Sequence, residues 1–204
     1  MSIAEMIANL EDENAVAEVQ KQLEDGVAPT EILAACQEGM NLVGQKFEDG
    51  EYYVSDLMMS GSIFKQVNDI LLPHLKSADE KSLGKVVLGT VEGDIHDIGK
   101  DLVKVMLGAS SFEVIDVGVD ANKDVFVQAL KDNPDAKILA LSCLLTTCYD
   151  ALKDTIDAVK SEGLNDVKIM IGGGPVDEGV VEFSGADTYG TSAQHAVTIA
   201  KELM

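Results

Sequence analysis

The first part of the chain, up to about residue 75, shows only helical periodicity, with apolar residues recurring every three to four positions. Pro29 is typical of a helix start, and Asp12 and Ser55 are predicted N-caps. Gly26 and Gly50 follow apolar-periodic segments and are typical of helix ends. The pattern therefore predicts a four-helix bundle. Its helices are expected at residues 3–10, 13–23, 30–47 and 55–75.

After residue 84 the pattern changes, because short apolar runs typical of buried strands alternate with amphipathic helices. Such alternation indicates an α/β domain with a doubly wound, flavodoxin-like parallel sheet of the Rossmann-like kind. The polar, aperiodic segment 77–84 is predicted to be a linker between a helical domain at 1–76 and an α/β domain at 85–204. The five strands are expected at residues 85–91, 114–117, 138–142, 167–171 and 187–189, with a last helix at 193–203.

Composition narrows the classes of partner. The 204 residues carry a formal net charge of -21 at pH 7, which argues against nucleic acid and anionic membranes as partners. No stretch approaches the roughly 20 apolar residues of a membrane-spanning helix, and no basic, then apolar leader opens the sequence. Three cysteines without framework spacing fit a reducing compartment. We therefore expect a cytoplasmic protein.

The segment Gly93–Gly99 joins a predicted buried strand to an amphipathic helix and contains His96. In open parallel α/β sheets, ligands bind outside the carboxyl ends of the strands, where such turns lie. Asp94 stands two residues before His96 and can accept the proton of one ring nitrogen, which leaves the other nitrogen free to bind a metal. Gly99 lets a bulky planar group approach the backbone where the helix begins. The local pattern predicts metal ligation by histidine.

The sequence has few other side chains that could bind the same metal as His96. A zinc site built by the protein needs three or four ligands with recognisable spacing, and the sequence has neither a CxxC nor an HxxxH motif. A single protein ligand suits a metal that is already held in a macrocycle, and haem is one such group. The histidines and cysteines available are His74, His96, His195, Cys36, Cys143 and Cys148.

Two further segments follow predicted strands. The segment 142–147 is rich in small hydroxyl residues, and Thr147 is a predicted cap for the helix at 149–162. Gly172 and Gly173 end the next strand, where glycines commonly form only a tight turn. No GxGxxG or Walker pattern points to a phosphate loop. Together with His96, these small residues would line adjacent strand ends and leave a slot for a long ligand.

These three segments, in order and in spacing, resemble the three-part signature of base-off cobalamin-binding domains such as that of methionine synthase. Segments 10–14, 36–40 and 54–59 are similar to the small corrinoid proteins of anaerobic methyltransferase systems. Those proteins serve methanol, methylamines, betaines or methoxylated aromatics, and the resemblance covers nearly the whole chain. The residues that carry the signature are Asp94, His96, Gly99, Ser142, Leu144, Gly172 and Gly173.

The resemblance implies that cobalamin is the cofactor, with His96 as the lower axial ligand of cobalt and Asp94 as its hydrogen-bond partner. Methionine synthase completes this pair with a serine, whereas the aligned residue here is Cys148. A thiol is a weaker hydrogen-bonding group, so a full proton relay is not expected. The remaining residues expected to contact the corrinoid or its nucleotide tail are Ile95, Asp97, Ile98, Ser142, Leu144, Thr146, Gly172 and Gly173.

The helical domain has two possible roles. By similarity to methionine synthase, Phe47, Val54 and Leu57 are expected to cover the upper face of the corrin. Periodicity alone supports an equally simple interpretation, in which these side chains form the core of the bundle. Three of the methionines in the domain are predicted to fill gaps in that core rather than to bind metal. They are Met40, Met58 and Met59.

The function implied by the resemblance is that of a methyl carrier, which is not an enzyme alone. Its partners would be a substrate:corrinoid methyltransferase, an acceptor methyltransferase serving tetrahydrofolate or coenzyme M, and a reductive activase. Three alternatives stay open: a cobalamin-dependent sensor, the small subunit of a cobalamin-dependent mutase, and a flavodoxin-like module without corrinoid. The sequence shows no basic helix-turn-helix for a sensor, and the helical domain argues against a mutase subunit.

Overall fold

The computed structural model of the chain describes residues 1–75 and 82–204. These residues divide into two compact units, with the division after Lys81. The predicted linker at 77–84 lies, as far as residue 81, outside the described residues. None of the helices in the described ranges has the length and apolar character that a membrane span requires.

The helical unit contains the predicted helices. Ser2 begins the first of them with a capping box, in which its hydroxyl accepts from the backbone N–H of Glu5 and the Glu5 carboxylate accepts from the backbone N–H of Ser2. Pro29 starts the third helix, as predicted. The helices are α1 (Ile3–Ala8), α2 (Asp12–Glu24), α3 (Pro29–Glu48) and α4 (Val54–Leu75).

The two predicted N-caps in this unit are wrong. Asp12 is the first residue inside α2, and its carboxylate accepts hydrogen bonds from the side-chain amide of Gln66 on α4 at 3.1 and 3.2 Å. Ser55 lies inside α4, while the carboxylate of Asp56 accepts from the backbone N–H of Tyr53 at 2.7 Å. The N-cap of α2 is instead Glu11, whose side chain makes no capping hydrogen bond.

Met40 is buried in the core of this unit, as predicted, but Met58 and Met59 are 59% and 46% exposed. The buried face of α4 follows Leu57, Ser60, Ile63, Phe64, Val67 and Leu71, a spacing of three to four residues. Positions 58 and 59 fall off this stripe. The prediction that these two methionines fill the core is therefore wrong.

The α/β unit has an all-parallel sheet with the strand order β2-β1-β3-β4-β5, which confirms the predicted fold class. The observed strands begin or end within two residues of the predicted ones. Val91, predicted to end the first strand, instead forms an isolated bridge with Ala121. The elements are β1 (Gly84–Thr90), α5 (Ile98–Ala109), β2 (Phe112–Asp116), α6 (Lys123–Asp132), β3 (Ala136–Ser142), α7 (Tyr149–Ser161), β4 (Lys168–Gly172), α8 (Glu178–Ser184), β5 (Thr188–Gly190) and α9 (Ala193–Glu202).

The register of the sheet aligns the carboxyl ends of four strands. Thr90 pairs with Ser142, Ser142 pairs with Gly172, and Gly172 pairs with Gly190. The chain order reverses between β1 and β3, so the loops that follow these two strands run to opposite faces of the sheet. This row is the place where a doubly wound sheet binds ligands.

A short 3₁₀ turn, Thr146–Cys148, leads into α7. The residue at the N-cap of α7 is Cys148, and no side-chain hydrogen bond caps the helix. The predicted cap by Thr147 is therefore wrong, because the 3₁₀ turn already includes that residue.

An ion-pair cluster joins α5 to the end of β2. Lys100 is almost completely buried, and its Nζ lies 2.6 Å from a carboxylate oxygen of Asp101 and 2.8 Å from one of Asp116. Lys104 adds a second contact to Asp116 at 2.9 Å. Burial raises the pKa of Asp116, but hydrogen bonds from Lys100, Lys104 and the backbone N–H of Gly118 outweigh it and lower this pKa to about 2.

We expect Gly89→Ala to lower the free energy of unfolding by about 1–3 kcal/mol. A Cβ at this position in β1 would overlap the Val117 side chain and lie 2.7 Å from the Phe126 ring. Gly108→Ala, inside α5 with nothing within 4 Å of the added atom, is the matched control and should be neutral or stabilising by up to about 1 kcal/mol. Urea denaturation followed by circular dichroism measures both, and equal effects would contradict the prediction.

We expect Asp116→Asn to make unfolding less sensitive to acid. Because the folded pKa lies below the ordinary 3.8, Asp116 contributes stability that is complete above about pH 4 and is lost as the pH falls toward about 2. The variant should lose about 2 kcal/mol at pH 7 and show a shallower acid slope. Asp157→Asn, which breaks an exposed pair with Lys153, is the control and should change stability by less than about 1 kcal/mol. Identical acid slopes for wild type and Asp116→Asn would refute this account.

Candidate functional site

The loop that carries His96 begins with a tight turn after β1. The backbone N–H of Asp94 donates to the carbonyl of Val91 at 3.1 Å, and Gly93 has a φ of 86°. A positive φ at the third position of a turn is what a type II turn requires, and glycine adopts it without strain. The turn directs the chain from the buried strand to the start of α5.

Asp94 and His96 form the predicted pair. One oxygen of the Asp94 carboxylate, Oδ1, accepts from the backbone N–H of His96 at 3.0 Å and lies 2.6 Å from Nδ1 of the ring. An ionised carboxylate can only accept, so the proton sits on Nδ1 and the lone pair is on Nε2. Asp94 is inaccessible to solvent, whereas the His96 side chain is 48% exposed. The geometry confirms the hydrogen bond and leaves Nε2 available as a ligand.

The second oxygen of Asp94 is held by the loop after β3. Oδ2 accepts from the backbone N–H of Leu144 at 2.6 Å and from that of Leu145 at 3.1 Å. Burial raises the pKa of Asp94, but these bonds and those from His96 outweigh it and lower the pKa. Asp94 therefore stays ionised.

Cys148 takes no part in this pair. Within the described residues, its thiol forms its side-chain hydrogen bond with the Thr147 hydroxyl, at 3.9 Å. Cys148 aligns with the serine of methionine synthase, but the second oxygen of Asp94 accepts from the backbone amides of Leu144 and Leu145 instead of from this thiol.

A cavity of about 280 Å³ opens beside the histidine loop, between the carboxyl ends of β1, β3 and β4 and the helices α5 and α9. Four of the predicted site residues line it: Gly99, Ser142, Gly172 and Gly173. Sequence reasoning missed several others, for which the signal is that they follow the histidine motif or lie at or just after the end of β4 or β5. These are Lys100, Gly174, Gly190, Thr191, Ser192 and Ala193.

Gly173 is required by the backbone around it. Its φ is 141°, and an added Cβ would overlap the carbonyl oxygen of Cys143 and lie 2.7 Å from the carbonyl carbon. Gly172 is less constrained, because a Cβ there would meet the carbonyl of Gly190 at an ordinary 3.5 Å. The close approach of the loops after β3 and β4 therefore depends on Gly173.

Apolar side chains are exposed around His96. Ile95 and Ile98 on either side of it are 70% and 60% exposed, and Leu144 stands at the edge of the neighbouring loop. Val119 and Leu145, which sequence reasoning missed, are exposed as well. An exposed apolar patch beside a polar ligand is typical of a binding surface.

The other predicted contacts are more peripheral. Asp97 is exposed at the N-cap of α5, and its side chain makes no capping hydrogen bond. Thr146 is exposed in the 3₁₀ turn and does not line the cavity. Leu144 lies beside the cavity, since a Cβ on Gly174 would be 3.3 Å from its Cδ1.

The residues predicted to cover the corrin belong to the helical unit. Phe47 is partly exposed near the end of α3, and Val54 is exposed at the start of α4. Leu57 is buried, which is the position that the core interpretation requires. Four exposed side chains at the beginning of α4 form what we term the α4 patch: Tyr53, Val54, Met58 and Met59.

The site fits a corrinoid. Within residues 1–75 and 82–204, no three His, Cys, Asp or Glu side chains form a metal-binding cluster, so one imidazole is what the histidine loop offers a metal. A macrocycle supplies the other ligands of such a metal. The exposed apolar side chains and the small-residue cavity are suited to a large planar group with a long tail.

Comparisons with known proteins agree with this fit. Models of B12 binding domains match residues 84–198 and residues 2–72. The chain is 37% identical to dimethylamine corrinoid protein 3 of Methanosarcina acetivorans, over 99% of this chain and 95% of that protein. It is 38% identical to monomethylamine corrinoid protein 1 of Methanosarcina mazei, over 91% and 88% of the two chains.

Solved structures give the same result. A cobalamin-binding protein from Desulfitobacterium hafniense has a TM-score of 0.85 at 38% identity, covering 99% of this chain and 97% of that chain. A chain of the methanol:cobalamin methyltransferase complex from Methanosarcina barkeri has a TM-score of 0.85 at 28% identity, covering 99% and 78%. The chain therefore belongs to the family of B12-binding corrinoid proteins, and its cofactor is cobalamin.

Proposed function

We propose that this chain carries a methyl group on a bound corrinoid from one methyltransferase to another. The observation that carries the proposal is the Asp94–His96 pair, in which Nδ1 donates to a buried carboxylate and Nε2 is free beside a cavity rich in small residues. The chain acts as the carrier subunit of a methyltransferase system and is not catalytic alone. Relatives named for dimethylamine and monomethylamine support this assignment.

When bound, the corrinoid supplies a cobalt that accepts and releases a methyl group. His96 would hold that cobalt through Nε2, and Asp94 would fix the ring orientation and increase the basicity of the imidazole. The lowered pKa of Asp94 keeps the carboxylate ionised, so the proton stays on Nδ1. The amides of Leu144 and Leu145 hold Asp94 in turn.

The cavity would receive the nucleotide tail of the corrinoid. Gly99, Ser142, Gly172 and Gly173 line it, and no large side chain among them fills it. The exposed apolar side chains beside His96 would pack on the macrocycle. Asp97 and Thr146 remain predicted contacts at the edge of this surface.

The helical unit would shield the bound cofactor. Phe47 and the α4 patch present exposed apolar and thioether side chains, a surface suited to cover a large planar group. Leu57 would support this surface from the core rather than contact the cofactor.

The donor class that the relatives support best is a methylated amine or alcohol. We propose a substrate:corrinoid methyltransferase as the donor partner, an acceptor methyltransferase of the tetrahydrofolate or coenzyme M type, and a reductive activase. We also propose a cytoplasmic place in anaerobic one-carbon metabolism. Three buried free thiols agree with a reducing compartment.

We expect His96 to coordinate cobalt. Protein labelled with ¹⁵N-histidine and loaded with Co(II) cobalamin should show an EPR hyperfine splitting that changes with the label, because the coupled nitrogen belongs to the protein. His96→Ala should lose this label-dependent splitting. His195→Ala, which removes a histidine near the cavity residue Thr191, is the matched control and should keep it. A label-dependent splitting that persists in His96→Ala would rule out the ligand assignment.

We expect Phe47→Ala to expose the cofactor to solvent. In protein loaded with methylcobalamin, photolysis should be several-fold faster than in wild type, because loss of the ring opens the covering surface. Phe183→Ala removes an exposed phenylalanine from α8 and should leave the rate unchanged. Equal photolysis rates in wild type and Phe47→Ala would contradict shielding by this residue.

A further inference from the structure

Asp120 is not one of the predicted site residues. It lies in the loop 117–121 between β2 and α6. Its carboxylate oxygen Oδ1 accepts from the backbone N–H of Gly93 at 2.7 Å. Its own backbone N–H donates to the carbonyl oxygen of Asp94 at 2.9 Å. Two consecutive residues of the histidine loop are therefore held by one residue of the neighbouring loop.

The loop 117–121 is itself fixed to β1. The N–H of Val117 donates to the carbonyl of Leu88 at 2.8 Å, and the N–H of Ala121 donates to the carbonyl of Thr90 at 3.0 Å. These bonds lie on both sides of Asp120, whose φ of 50° is in the left-handed region. That conformation is uncommon for residues other than glycine, although aspartate and asparagine adopt it more readily than most, and here the bonds on both sides impose it. The Asp120 carboxylate is thus held in a defined position.

The histidine loop is consequently held from two directions. Leu144 and Leu145, after β3, hold the side chain of Asp94. Asp120, after β2, holds the backbone of Gly93 and Asp94. The side-chain clamp holds Oδ2 and so orients the carboxylate whose other oxygen, Oδ1, accepts from the imidazole. The backbone clamp fixes where that side chain starts.

We propose that Asp120 is a positioning residue that sets the direction of the His96 Nε2 lone pair by clamping the turn before it. The residue acts through Gly93 and Asp94 and needs no contact with the corrinoid. This inference rests on the proposed function, in which His96 is the ligand of cobalt.

Three variants separate the clamp from charge and from backbone strain. Asp120→Gly keeps the left-handed φ without strain and removes the acceptor. Asp120→Asn keeps an oxygen acceptor, tolerates the same φ and removes the charge. Asp124→Asn, on an exposed residue of α6, removes the same charge without altering the clamp.

The first readout uses ¹⁵N-labelled protein without cofactor. In Asp120→Gly, the Gly93 amide resonance should shift and its hydrogen exchange should accelerate by about tenfold, because it loses a charge-assisted bond. Asp120→Asn should stay within about twofold of wild type, and Asp124→Asn should match wild type. The chain has three histidines, so the ring nitrogens of His96 can be assigned and followed in the same samples.

The second readout is the fraction of Co(II) cobalamin that shows the ¹⁵N-histidine splitting. We expect it to fall by about three- to tenfold in Asp120→Gly and to be restored in Asp120→Asn. If Asp120→Gly leaves both readouts as in wild type while His96→Ala loses the splitting, the inference is wrong and the proposed function stands. If Asp120→Asn behaves like Asp120→Gly, charge rather than the clamp acts, and the inference is equally wrong. A label-dependent splitting that survives in His96→Ala overturns the proposed ligand and this inference with it.

Discussion

The buried carboxylate of Asp94 is the interaction on which the histidine site depends. An ionised carboxylate removed from water is strongly destabilising unless hydrogen bonds replace its hydration. Here each oxygen accepts two bonds, Oδ1 from the ring and backbone of His96 and Oδ2 from the amides of Leu144 and Leu145. The carboxylate belongs to the loop after β1 and accepts hydrogen bonds from the loop after β3 as well as from its own loop. A shift of either loop therefore changes the orientation of the imidazole.

Close contact between the loops after neighbouring strands also requires small residues at the strand ends. The register brings Thr90, Ser142, Gly172 and Gly190 into one row, so the loops after them start side by side. Gly173 then passes so near the backbone of Cys143 that no side chain fits. The same small residues leave the cavity open. One set of glycines thus permits both the clamp on Asp94 and the space beside it.

Much of the fold followed from local pattern. Helical periodicity located α1 to α4, and short apolar runs located the strands of the parallel sheet, because both patterns depend on neighbours in sequence. Local pattern gave wrong predictions where tertiary packing decides which side chain is buried or caps a helix. Met58 and Met59 are apolar but lie off the buried stripe of α4, and Thr147 was available as a cap but sits in a 3₁₀ turn.

The sequence by itself determined the order of the elements and the Asp94–His96 hydrogen bond, since two residues that close in the chain can meet within one turn. Tertiary structure alone decided what holds that pair. The amides of Leu144 and Leu145 are backbone groups, which every residue except proline carries. The residue types at these positions therefore could not predict this role. Asp120 stands 27 residues from Gly93, and only strand pairing brings the two together.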